Sequence, residues 1–423
     1  MKNFLIETNN IKKSSVIWNM IAYTSNSFQS MLLLLILSRD KNFVDSAIFS
    51  IAFTAASMLL YVGKFAVRNY QVSDVNNEYT YGDYLKSRAI TVVIMVVSSI
   101  VYLLYCALFK SYSIYKVICC VLIILVRLIE AIEDVFHGHL QKNYRLDVAS
   151  KIWALRTIAY VVSFIVSYYI SKSLLVAATI GLVITTTMFF ILNACVYDLI
   201  ERDTASKGGG KAWSILKNCF PLALSTFITV YIGNSPKYTV DAVLSSEEQV
   251  TFNVIFMPVF VIALLGNYIY NPMINKLSEL WNNKETNTFK KSVFKQICIV
   301  LLCTVIVILG GEIIGIRILE LLYSVPLMNF RVDFIYLMVA GGGLAIFNFL
   351  IIISTIIRKQ KIVQYTSVVS ALILIAFSKR ILQSWGIRSL CLYYAIVVTV
   401  LVASTFLLCY NYIKKGNLQN DSI

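Results

Sequence analysis

The chain has 423 residues, of which 58% are hydrophobic and 14% charged, against about 25% charged in an ordinary soluble domain. Too few charges remain to clothe a water-soluble surface, so lipid is its solvent and an all-α polytopic membrane protein is expected. The formal charge of +15 then becomes a question of which side of the bilayer holds the positive residues, and nucleic acid is not an expected partner.

Runs of about 20 apolar residues, enough to cross a hydrocarbon core about 30 Å thick, mark the spans. Twelve are predicted, over 14–37, 43–67, 89–109, 114–136, 149–170, 174–197, 213–233, 250–272, 292–316, 332–356, 363–379 and 389–412. The eleventh is short and ends in Ser378-Lys379-Arg380, which leaves a re-entrant or interfacial path open. Alternating the loops puts 23 of the 37 lysines and arginines on the side of both termini and 11 on the other, with Lys64, Arg127 and Arg156 inside spans. Both termini are therefore expected in the cytoplasm. The first span is too long for a secretory signal and no A-x-A-like cleavage site follows it, so it is expected to persist as a helix. The nine cysteines fall within predicted spans without CxxC spacing and read as small packing residues.

A cut near Lys207-Gly208-Gly209-Gly210-Lys211 leaves six spans on each side, dividing the chain into 1–206 and 207–423. The connection over 68–88 has a counterpart of similar length at 273–291, and the longest outer connection is 234–249. Parallel repeats of this kind build two six-helix bundles around a central cavity. The short loops leave no place for a soluble catalytic domain or for the large outer loop of a membrane glycan polymerase or ligase. With no G-x-x-x-x-G-K-[ST] run to hold ATP, a transporter is expected rather than an enzyme.

An ionised side chain at the centre of a span costs about 2.5–3.5 kcal/mol to insert, so each one calls for a partner. The fourth span runs Arg127-Leu128-Ile129-Glu130-Ala131-Ile132-Glu133-Asp134-Val135-Phe136-His137-Gly138, placing Arg127, Glu130 and Asp134 on one narrow face with Glu133 beside it. Two readings fit: a polar wall of a central cavity with a carboxylate that exchanges protons, or a structural ion-pair ladder at the cytoplasmic end of the helix. At the end of the second span Lys64 and Arg68 are four apart and so expected on one helix face, where an anion such as pyrophosphate would relieve their repulsion; snorkelling to the surface is the alternative. Arg156 either snorkels too or joins the same cavity. Pro221, Pro258 and Pro272 mark hinges or packing kinks, and Gly341-Gly342-Gly343 marks a bend or a close helix approach. His137 and His139, two apart, do not face each other on a helix, and no metal site is expected. The 26 tyrosines fit interfacial belts and sugar-stacking surfaces alike.

These same segments resemble the bacterial oligosaccharide flippases, the polysaccharide-exporter branch of the multidrug/oligosaccharidyl-lipid/polysaccharide (MOP) exporter superfamily. The resemblance runs along most of the chain. It is carried by Gly63 to Asp74 with Tyr81-Gly82-Asp83-Tyr84, by Arg127 to Gly138 with Gln141 and Arg145-Leu146-Asp147, by Asn234 to Tyr238, and by Met257-Pro258. It implies two bundles that move an undecaprenyl-pyrophosphate-linked oligosaccharide from the inner to the outer leaflet of the bacterial cytoplasmic membrane. It also implies a cavity lined by basic residues, which Lys64, Arg68 and Arg127 match by position, with Arg156 and Lys237 as weaker additions. No cofactor is expected; coupling to an H⁺ or Na⁺ gradient through Glu130, Glu133 or Asp134, and to the membrane potential, is. Membrane lipid and glycan-assembly proteins are the other expected partners. A cation-coupled multidrug exporter of the same superfamily shares the architecture but favours acidic cavity residues.

Overall fold

Backbone amides have no water to bond in hydrocarbon, so a chain this apolar satisfies them within helices. The computed structural model describes residues 2–40, 43–74, 78–197, 199, 210–270, 273–357 and 359–420, and among these the regular structure is helical. The chain forms two compact units, Met1–Phe227 and Ile228–Ile423.

The first unit contains a short α1 (Lys2–Ile6), α2 (Ile11–Arg39), α3 (Phe43–Lys64), α4 (Val67–Ser73), α5 (Tyr81–Phe109), α6 (Ile114–Lys142), α7 (Leu146–Ser171) and α8 (Leu174–Cys195). The division between units falls within α9 (Ala212–Asp241). The second unit continues with α10 (Ser246–Tyr270), α11 (Ile274–Asn282), α12 (Thr286–Gly310), a π-turn over Gly311–Gly315, α13 (Ile316–Tyr323), α14 (Arg331–Ile356) and α15 (Lys361–Asn420). The expected spans lie in α2, α3 and α5–α8, then in α9, α10, α12, α14 and the two arms of α15. Nine helical stretches among the described residues are long and apolar enough to cross a membrane. The fold is that of an all-α, multi-pass membrane protein.

In the first unit α2 packs along α7 and α3 along α6. Of the apolar stretch in Phe43–Val72, 72% is buried, against 17% in Tyr81–Phe109, so α3 is an inner helix and α5 an outer one. In the second unit α14 is the inner helix, packed by α10, α12 and α15. Its glycine triplet explains that position: a Cβ on Gly341 would meet Val259 Cα at 3.2 Å, on Gly342 Thr304 Oγ1 at 2.5 Å, and on Gly343 Val398 Cγ1 at 2.7 Å. The triplet therefore serves close approach to three helices rather than a bend.

Several boundaries differ from expectation. The connection expected over 68–88 is mostly helix: α4 occupies its start, and α5 begins at Tyr81 behind a capping box in which Thr80 and Asp83 bond each other's backbone. The connection at 273–291 likewise contains α11 and the first turn of α12. The outer connection expected over 234–249 shrinks, because α9 runs to Asp241 and α10 starts at Ser246. The eleventh span is no re-entrant stub: the helix continues past Lys379 and Arg380, both exposed, to a break at Gly386, whose φ of 77° only glycine adopts readily. Helices α9 and α10 run through Pro221 and Pro258, while Pro272 lies outside the described residues. None of the nine cysteines is joined in a disulfide; six are buried and Cys298 is exposed.

Candidate functional site

The ionic residues of α6 are the centre of the first unit, and each carboxylate is met by a cation from another element. Glu130 accepts from Lys64 Nζ at 2.8 Å and from Arg127 Nη1, one turn earlier on α6, at 2.5 Å. Arg127 also reaches Asn26 Oδ1 at 3.4 Å and lies 4.5 Å over the Phe53 ring. Asp134 accepts from Arg88 Nη2 at 2.7 Å, with Arg68 Nη1 at 3.6 Å. Glu133 turns the other way, toward α7 and α8: it accepts from Arg156 Nε at 2.8 Å and Asn193 Nδ2 at 3.3 Å, with His137 Nε2 3.7 Å away. Helical periodicity thus sorts the carboxylates, Glu130 and Asp134 facing α3–α5 and Glu133 facing α7–α8.

Lys64 and Arg68 do not share a helix face. The helix ends at Lys64, and Phe65 (φ 47°) and Ala66 (φ 55°) both adopt the left-handed region before α4 begins at Val67. Such a conformation costs a non-glycine residue about 1–3 kcal/mol and persists only where the surroundings enforce it. Here the enforcement is visible. Lys64 is drawn to Glu130, while Arg68 bonds Gln141 Oε1 at 3.1 and 2.7 Å beside Asp134. The two cations diverge because their hydrogen-bond partners on α6, Glu130 and Gln141, are eleven residues apart. Close packing holds the hinge: a Cβ on Gly63 would meet Met95 Sδ at 2.5 Å and Ala131 Cβ at 2.9 Å. The Gly63 carbonyl accepts from Arg88 Nη1.

Five cations, Lys64, Arg68, Arg88, Arg127 and Arg156, therefore stand against three carboxylates, Glu130, Glu133 and Asp134. Arg88, Arg127 and Arg156 are nearly sealed, whereas the side chains of Lys64 and Arg68 keep 25% and 23% of their exposure. The surplus positive charge is thus reachable at the Lys64–Arg68 end. Two inward donors, Arg88 Nε and Arg156 Nη2, find no hydrogen-bond partner.

Arg88 closes the expected 68–88 connection, because the apolar run begins at residue 89. The Thr80–Asp83 capping signature is what places it two turns inside α5. Lys151, at the start of the fifth predicted span, is buried in α7 and donates to the carbonyls of Phe4 (2.8 Å) and Leu5 (3.2 Å) and to Thr8 Oγ1 (3.0 Å). Lys237, on α9 in the second unit, sits 5.5 and 5.0 Å over the Phe256 and Phe260 rings. His137 and His139 diverge, the latter packing its ring against Tyr81 at 4.2 Å. Among the described residues no three His, Cys, Asp or Glu side chains gather as a metal site.

At the edge of this cluster, where α4 ends, Asp74 is held by a separate set of donors. The amides of Glu78 and Tyr79 donate to it at 2.9 and 3.3 Å, the Tyr84 hydroxyl at 2.9 Å and Lys142 at 3.4 Å. Burial alone would raise its pKa, but these donors outweigh burial and hold the carboxyl below its ordinary range.

No protein-family model matches the sequence, and no curated protein sequence matches it. Solved structures share its fold. An inward-facing multidrug resistance transporter of the MATE family, MOP superfamily, matches 94% of this chain and 98% of its own at 14% identity, with a TM-score of 0.66. The MATE transporter VcmN of Vibrio cholerae, in its bent form, matches 96% and 99% at 11% identity, TM-score 0.56. A MOP superfamily transporter from Pyrococcus furiosus Vc1 (DSM3638), whose binding pocket has reversed polarity that suggests a different function, matches 98% and 98% at 13% identity, TM-score 0.58. The chain therefore has the fold of the MATE transporters of the MOP superfamily.

Proposed function

We propose that this chain is an exporter for an anionic, membrane-anchored substrate, namely a flippase that carries a polyprenyl-pyrophosphate-linked oligosaccharide from the cytoplasmic to the outer leaflet of a bacterial membrane. The observation that carries this reading is the surplus of five cations over three carboxylates, with Lys64 and Arg68 at its open end. A drug-cation exporter needs the opposite sign. The Pyrococcus furiosus transporter, with its reversed pocket polarity, gives the same fold a precedent for a different use.

In this reading Lys64 and Arg68 receive the pyrophosphate. Arg88 and Arg127 hold Asp134 and Glu130, so that these carboxylates do not repel it. The lipid tail stays in the bilayer while the charged headgroup crosses through a polar path by alternating access. An inside-negative potential favours outward movement of an anion by about 2.3 kcal/mol per charge per 100 mV, so a headgroup carrying about two charges gains nearly 5 kcal/mol. Both termini belong in the cytoplasm, and any H⁺ or Na⁺ coupling belongs to Glu130, Glu133 or Asp134.

The test is reconstitution into liposomes carrying a fluorescent polyprenyl-pyrophosphate disaccharide, with ethidium export followed in parallel. Lys64→Gln with Arg68→Gln is expected to slow headgroup translocation at least tenfold and to leave ethidium unmoved in both proteins. Ethidium export that survives the double variant, with no saccharide translocation by the unaltered protein, would replace this reading with the multidrug exporter.

A further inference from the structure

A second place in the molecule, unrelated to the α6 cluster, has the form of a ligand site. In the second unit, α12, α14 and the last arm of α15 line a half-open cavity of about 280 Å³, just below the roughly 300–1,000 Å³ usual for small-molecule sites. Its floor is apolar and fully packed: Val293 from α12, Leu350 and Ile353 from α14, and Cys409 and Ile413 from α15 are all buried. Phe294, Phe406 and Tyr410 form its walls. One end is not apolar. Lys290 and Lys291, consecutive residues in the second turn of α12, close it, with Lys290 Nζ 5.9 Å over the Tyr410 ring.

The order along α12 matters. Lys290, Val293 and Phe294 occupy one face at i, i+3 and i+4, so charge gives way to hydrocarbon within one turn, and the apolar run of the span continues from there. Near the same end of the unit Lys359 lies 4.8 Å over the Tyr412 ring, adding positive charge and a second interfacial aromatic. A cavity with an apolar floor and two lysines at one end matches a molecule that is anionic at one end and an alkyl chain at the other. Basic pockets between membrane helices bind anionic lipid headgroups for this reason.

We propose that this cavity is a binding site for an anionic diacyl phospholipid, with the headgroup phosphate between Lys290 and Lys291 and one acyl chain along Val293, Ile353 and Cys409. The site requires only that the protein lies in a membrane and stands whether or not the α6 cluster carries a saccharide.

The experiment is native mass spectrometry of the full chain released from nanodiscs containing equal amounts of palmitoyl-oleoyl phosphatidylglycerol and phosphatidylcholine. Two lysines at a membrane surface, each worth about 1 kcal/mol toward an anionic lipid, predict about a thirtyfold preference for retained phosphatidylglycerol. The Lys290→Gln/Lys291→Gln variant is expected to fall to near parity. Lys290→Arg/Lys291→Arg is expected to keep the preference, and Lys12→Gln/Lys13→Gln, which removes two exposed lysines of the first unit, is expected to leave it unchanged. Equal retention of the two lipids by the unaltered protein would overturn the proposal, as would a preference that persists in the glutamine variant or is lost equally in the Lys12/Lys13 variant.

Discussion

The two units have the same kind of helices but hold them together differently. In the first, α6 meets its neighbours through ion pairs, Lys64 of α3 on Glu130, Arg88 of α5 on Asp134 and Arg156 of α7 on Glu133. In the second, inner helix α14 meets its neighbours through three glycines, and the ion pair seen there, Arg331 with Glu312 at 2.7 Å, is half-exposed. Buried charge is a poor adhesive, since apolar side chains of similar volume generally hold helices as well or better. Packing like that around Gly341–Gly343 would have been the simpler means in both places. In the proposed function, the charges that the first unit keeps are the ones that meet the substrate's headgroup.

The comparison can be broken most directly at Glu133. It is fully buried, and Glu133→Ala leaves Arg156 as an uncompensated charge, so a loss of about 3–5 kcal/mol is expected, read as failure to recover monodisperse protein or as a steep fall in detergent melting temperature. In the second unit the corresponding injury is steric. Gly342→Ala puts a methyl against Thr304 and is expected to cost about 1–3 kcal/mol; pairing it with Thr304→Ala, which removes both the crowding hydroxyl and the crowding methyl group, should restore part of the loss. If Gly342→Ala proved as damaging as Glu133→Ala, the contrast between ionic and steric cohesion would fail.

A third variant sharpens the contrast by pH. Because Asp74 is held below its ordinary carboxyl range, its contribution is fully present above the unfolded aspartate value and is lost as pH falls through its lowered folded value. The melting-temperature gap between the wild type and Asp74→Asn is therefore expected at neutral pH and should close as the solution is acidified below about pH 3.9, the usual aspartate value. A gap that stayed constant across that range would mean the carboxylate charge is not what stabilises the α4–α5 turn. The smallest effect belongs to Arg331→Ala: an exposed pair is worth about 0–1 kcal/mol, and raised salt should erase it.

Much of this architecture was legible in hydropathy. The twelve apolar runs fall in helices, nine stretches of which, among the described residues, are long and apolar enough to cross a membrane, and the face carrying Glu130 and Asp134 followed from a period of 3.6. The partners of that face were less legible, because a run of apolar residues says where lipid begins and not where a helix begins. Arg88 falls in the expected 68–88 connection on that account, though Thr80 and Asp83 carry a capping signal that extends α5 by two turns. The break after Lys64 left no trace at all, since neither Phe65 nor Ala66 is a residue type that favours a left-handed backbone. What forces the turn is tertiary, the pull of Glu130 and the crowding at Gly63, and no local pattern encodes it.

The hold of Lys151 on the first residues has a consequence in time. Phe4 lies 147 residues before Lys151, and synthesis at about 5–20 residues per second separates their emergence by about 7–30 s. For that interval the carbonyls of Phe4 and Leu5 have no cation to receive, and α1 has no α7 to lie against. Anything that captures the segment while it waits competes with its docking. An affinity tag is therefore better fused at the far end of the chain, and a pulse-labelled protein should acquire protease resistance near Thr8 only after α7 has entered the membrane.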